Sequence, residues 1–168
     1  LLNRTVSMII KYFDGIIPMY KGHVTPFDAE MEEVAINAVK EYEAHFSDLK
    51  VTEGLIAAFK LISASNKYID NTKPWELFAQ GKKEELASAM NHLANNLYIS
   101  AMLLKPVLVH APNELYRQLG ISEDLQKFEL LRKYGVIGGQ KVVKGDPLFP
   151  RLKVAEEVEF IKNLMHHD

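Results

Sequence analysis

Apolar residues return at helical spacing through most of this chain, and that period excludes sheet-based folds before any motif is considered. In the opening segment Leu2, Val6, Ile9, Ile10 and Phe13 recur at helical spacing, while Arg4 and Lys11 lie one heptad apart on another face. Asp14-Gly15 ends the run, as a left-handed C-cap would. Thr25-Pro26-Phe27-Asp28 then supplies a cap, a proline at the first helical position and an acid in the first turn, so a second helix is expected to run to about His45. Thr52 and Glu53 open a third, with the stripe Leu55, Phe59, Ile62, Asn66 and Ile69. The amide of Asn66 interrupts that seam and needs partners if buried. Gly81 and the charged run Lys82 to Glu85 lead into a long helix whose expected core face is Leu86, Met90, Leu93, Leu97 and Leu104. Pro106 kinks or stops it. Pro112 restarts a short helix through Leu115 to Leu119, closed by Gly120.

The expected fold class is therefore mainly α, a helical bundle over residues 1–122 followed by a C-terminal extension over 123–168. In the extension Lys127, Arg132, Lys133, Lys141, Lys144, Arg151 and Lys153 surround glycines at 135, 138, 139 and 145. This predicts a short helix, an extended segment punctuated by Gly and Pro, and a final helix from about Val154 to Met165.

Composition limits the function classes. With 168 residues, 48% hydrophobic and 25% charged, the chain can bury a core and needs no disordered class. A net charge of -2 is too balanced for a general polyanion binder, so nucleic-acid recognition would rest on a local surface. No apolar run approaches the roughly 18 residues that span a bilayer, so no membrane partner is expected. The absence of cysteine excludes thiolate chemistry and fits a reducing, cytoplasmic setting. Leu1 to Ser7 lack an initiator Met and a signal-peptide layout, so the chain reads as cut from something longer.

Catalytic signatures are missing. No glycine-rich phosphate loop follows a strand, no Gly-x-Ser-x-Gly elbow occurs, and His23, His45, His92 and His110 show no ligand spacing with carboxylates on a shared helix face. Each of these histidines reads as a surface or capping residue, and no metal site is expected. His166-His167-Asp168 reads as a frayed terminus. Glu30, Glu32 and Glu33 sit at a helix start, where they complement the dipole.

The segment Asn66-Lys67-Tyr68-Ile69-Asp70-Asn71-Thr72-Lys73-Pro74-Trp75 places the sole tryptophan just after a proline, where a helix runs out. Such a Trp is either a core anchor or an exposed stacking surface. Together with Asn3-Arg4-Thr5, Phe13-Asp14-Gly15 and the late Lys144-Gly145-Asp146-Pro147-Leu148-Phe149-Pro150-Arg151, this segment resembles the C-terminal part of bacterial methionyl-tRNA synthetases, in order and spacing across almost the whole chain. The resemblance implies an α-helical anticodon-binding domain of the class I synthetase type, with the Pro-Leu-Phe-Pro-Arg tail packing back toward the rest of the enzyme. The HIGH-type and KMSKS-type signatures of the catalytic domain do not occur.

Carried over residue by residue, the resemblance makes Trp75 the platform for the first base of a CAU anticodon and Arg4 a second contact to that anticodon. Asn66 matches an asparagine near the pocket, and Asp70 and Pro74 match positions that shape the helix exit. The family's common Thr-Ala-Pro-Trp stands here as Thr72-Lys73-Pro74-Trp75, which adds either a phosphate contact or a solvated charge. The implied partners are methionine-specific tRNA and a catalytic domain in the same chain. ATP with magnesium, and methionine, are implied for the full enzyme and no cofactor for this part of it.

Overall fold

The structure is a computed structural model that describes residues 1–46, 51–106, 108 and 110–145, with backbone only at 45–46 and 51–54. The expected helix from Val154 to Met165, the Pro147 to Arg151 run and the terminal His166-His167-Asp168 lie outside the described residues. Among the described residues six α-helices follow one another: α1 Leu2–Phe13, α2 Asp28–Phe46, α3 Val51–Thr72, α4 Pro74–Ala79, α5 Lys83–Leu104 and α6 His110–Leu119. Two short 3₁₀ turns, Glu123–Leu125 and Phe128–Arg132, come after them. No described helix is long and apolar enough to cross a membrane.

The bundle is built around α5. All the other helices pack against it, and the predicted stripe of Leu86, Met90, Leu93, Leu97 and Leu104 is buried. The one-sided expectation is nevertheless corrected, because Ser88, Asn91, His92, Asn95, Asn96 and Ser100 are buried as well. A helix enclosed on every side must satisfy its polar side chains internally. Asn91 Nδ2 donates to the carbonyls of Pro18 at 2.6 Å and Ile137 at 2.8 Å, and Asn95 Oδ1 accepts from the Ile137 N–H at 2.9 Å. These amides hold two irregular stretches against the helix.

Those two stretches also pair with each other. α1 ends as expected at Asp14, φ 53°, and Gly15, φ 84°, after which the chain runs on without helix until Asp28. The Ile17 N–H donates to Gln140 O at 2.9 Å, while the N–H groups of Gly139 and Val142 donate to Ile17 O and Gly15 O at 2.7 Å each. Ile16 and Lys141 form an antiparallel bridge. The segment after the 3₁₀ turns thus returns to the start of the molecule, and Tyr134, Ile137 and Val142 enter the core with it.

A second correction concerns α2. The helix begins at Asp28 and not at Pro26; Asp28 is the acid of its first turn, as expected, and its carboxylate is fully buried. It accepts from the N–H groups of Val24 and Thr25, from Thr25 Oγ1, and across the bundle from Tyr68 Oη at 2.7 Å and Ser88 Oγ at 2.6 Å. Glu32, expected to face the dipole, is buried too, and accepts from Tyr20 Oη at 2.6 Å. His92 is a core residue rather than a surface or capping one. Its Nε2 lies 2.9 Å from Glu32 Oε2 and its Nδ1 2.7 Å from Ser88 O.

Candidate nucleic-acid interface

The face that carries Trp75 is made by an abrupt change of direction between α3 and α4. Thr72 closes the last turn of α3 through its hydroxyl, which donates to Tyr68 O at 2.8 Å. Lys73 follows in the left-handed region, φ 48°, and its carbonyl accepts from the N–H of Glu76 at 2.9 Å and of Leu77 at 3.2 Å. Pro74 opens α4 at the position where a missing N–H costs nothing. In this short helix residues three apart share a face. Pro74 and Leu77 are buried, which leaves Trp75 and Phe78 turned outward, 43% and 52% exposed.

Neither the Trp75 ring nor its N–H has a ring or hydrogen-bond partner among the described residues. Trp75 is therefore partly exposed and not fully buried in the core. Phe78 has a partner: its ring stacks on Tyr12 of α1, centroids 4.6 Å apart and planes at 25°. The Lys11 ammonium lies 5.7 Å from the Tyr12 centroid. This stack joins α1 to α4.

The sequence-derived site residues divide accordingly. Arg4 is exposed on α1, two turns before Tyr12, or about 12 Å along the helix axis. Its guanidinium makes no ion pair or hydrogen bond among the described residues. Asp70 is exposed on the last turns of α3, and Lys73 is exposed at the corner. Asn66 is half-buried without a hydrogen-bond partner among the described residues, so it is not the satisfied core amide its position in the stripe allowed. The buried polar residue there is its neighbour Ser65, whose hydroxyl donates to Leu61 O at 2.8 Å. Tyr68, within the same motif, is buried against Asp28, and burial followed by that carboxylate pushes its phenol far above the ordinary range.

The other polar constellation is closed. Asp28, Ser88, His92 and Glu32 contain the residue types of a nucleophilic triad, but all four are buried, and His23, exposed and 3.0 Å from Glu32 Oε2, links them to the surface. No group of three or more His, Cys, Asp or Glu able to hold a metal ion occurs among the described residues. Sequence reasoning named Lys11 with Arg4 but did not single out Tyr12 or Phe78. The signal for Phe78 was the spacing of Trp75 and Phe78 beside Pro74 and Leu77; nothing local could have paired Phe78 with Tyr12.

Known proteins share this sequence family and fold. Residues 18–164 match the family model described as the anticodon binding domain of methionyl tRNA ligase. The methionine–tRNA ligases of Bacillus subtilis and Listeria monocytogenes serotype 4b are each 48% identical over 98% of the chain, which spans 25% of their length. The apo crystal structure of Mycobacterium tuberculosis methionyl-tRNA synthetase superposes with TM-score 0.79 at 21% identity, covering 90% of this chain and 31% of that one. Its complex with methionyl-adenylate gives 0.76 over 89% and 30%. The class is thus an α-helical domain of aminoacyl-tRNA ligases. The chain belongs to the anticodon-binding domain family of methionyl tRNA ligase.

Proposed function

We propose that this domain reads the CAU anticodon of methionine-specific tRNA, with the first base stacked on Trp75. The observation that carries the reading is the orientation of α4: Pro74 and Leu77 are buried while the indole stands partly outward with no ring or hydrogen-bond partner among the described residues. Base–aromatic stacking contributes about 1 to 3 kcal/mol and is tolerant of base identity. Discrimination therefore falls to Arg4, whose guanidinium can satisfy a base edge or a phosphate, with Asn66, Asp70 and Pro74 shaping the pocket. The parent enzyme would join methionine to tRNA in the cytoplasm, with ATP and magnesium held by a catalytic domain elsewhere in its chain. We propose that residue 122 marks a change from the bundle to its extension and not a break between separately folding units, since Tyr134, Ile137 and Val142 enter the bundle core.

The test combines thermal melts with titrations of a CAU stem-loop RNA and of one altered at the first anticodon base, on wild type, Trp75→Ala and Arg4→Ala. Trp75→Ala is expected to lose about 1 to 3 kcal/mol of binding with little change in melting temperature; a core anchor would instead cost about 3 to 5 kcal/mol of folding stability. The chain alone should show no methionine-dependent ATP–pyrophosphate exchange. Indifference of the wild type to the altered base would overturn the reading; the alternative, a helical protein-interaction module, requires negligible affinity for both RNAs together with binding of a partner protein at the Trp75 face.

A further inference from the structure

The exposed aromatic surface does not end at Trp75. Phe78 follows it on the same face of α4, one turn on, and is the more exposed of the two. Isolated exposed apolar side chains are ordinary on protein surfaces. Phe78 differs because one face of its ring is covered by Tyr12, which fixes the plane, while the rest of the ring stays open. Residues three apart on a helix have Cβ atoms about 5 to 6 Å apart, a separation that neighbouring unpaired nucleotides can bridge. Two cations border the patch: Lys73 is exposed at the corner before Pro74, and Lys11 lies on the Tyr12 side of the stack.

We propose that Phe78, backed by Tyr12, is a second base-stacking platform, holding the anticodon-loop nucleotide next to the one on Trp75. The proposal rests on the anticodon reading above. It extends the interface from one base to two and makes α1 part of it through the Tyr12 ring as well as through Arg4. An unpaired nucleotide suits this surface better than an apolar partner would. The patch is narrow, two rings wide, and has cations at its edge, whereas a protein-docking face of useful size would need a broader apolar area.

The experiment uses the chain with a CAU stem-loop and with stem-loops made abasic at the first anticodon position or at either neighbouring nucleotide. Wild type, Phe78→Ala, Phe78→Leu, Phe78→Tyr and Trp75→Ala are each titrated and melted. Phe78→Ala and Phe78→Leu are expected to bind the intact loop about tenfold more weakly at near-wild-type melting temperature, and Phe78→Tyr to bind normally. Both weakened variants should also become insensitive to removal of one neighbouring base while still penalising removal of the first; that non-additivity is the signature of contact. Wild-type affinity in Phe78→Ala, or equal loss in Phe78→Tyr, overturns the second platform and leaves the Trp75 reading intact. A wild type indifferent to loss of the first base sinks the underlying reading instead.

Discussion

Asp28 keeps a carboxylate in the core without a cation, because five neutral donors converge on it from the preceding loop, α3 and α5. Burial raises its pKa, but the hydrogen bonds from Ser88, Thr25 and Tyr68 outweigh that and bring it down to about 2, from 3.8 for a free side chain. A depressed acid stabilises the fold above its unfolded pKa, and that contribution is lost as the pH falls through the folded value. Thermal stability should accordingly hold down to about pH 4 and then lose about 2 kcal/mol on the way to pH 2. Asp28→Asn, which turns an amide donor toward groups that already donate, should cost about 3 kcal/mol at neutral pH and flatten the acid limb. Melts of both proteins from pH 7 to pH 2 check this; equal acid limbs would show that Asp28 is not the group responsible. At this scale the sequence revealed residue types but not their settings. Asn66 and Ser65 are neighbours 100° apart around α3, and a small error in the direction of the core exchanged the half-buried residue for the buried one.

Helices and their ends were readable to within a few residues because their determinants are local. Gly15, Gly120 and the residue before Pro106 stop helices where expected. α6 begins at His110, two residues before Pro112, because a proline in the first turn forfeits no intrahelical hydrogen bond. Gly120 has a second task that no local rule reveals. Its φ is +69°, and a Cβ there would meet Lys141 O at 2.4 Å, so the glycine also admits the returning segment. Gly22 has a similar φ of +76° with open space around it. Gly22→Ala should therefore cost only the backbone penalty, about 1 kcal/mol, and Gly120→Ala about 2 to 4 kcal/mol, since the backbone of the return must also shift. Urea unfolding of the two variants measures the difference. Faster amide exchange at Val143, whose N–H donates to Gln118 O at 2.8 Å, would place the damage at the return; equal stabilities would show that the close approach is easily relieved.

The molecule as a whole is closed by that return. Tyr134, Ile137 and Val142 fill the core, and Asn91 and Asn95 depend on the Ile137 backbone for partners inside a helix with no solvated face. A chain ended after Ile121 should keep much of its helical signal yet lose cooperative melting and bind a hydrophobic dye, because removing the return opens the core and orphans buried amides. A sharp, dye-free melt would show instead that the bundle closes without it. The amino-acid sequence by itself determined the helical class, the order and approximate limits of the helices, and the family motif ending in Pro74-Trp75, all of which depend on periodicity and on neighbours a few residues apart. Only the tertiary structure decided that α5 is enclosed on all sides, that Asp28 meets Ser88 across 60 residues, that Trp75 stands outward and that Phe78 lies on Tyr12. A helical period gives the angle of a side chain around its own axis; which angles face protein and which face water is set by how the helices pack together, and no single segment carries that information.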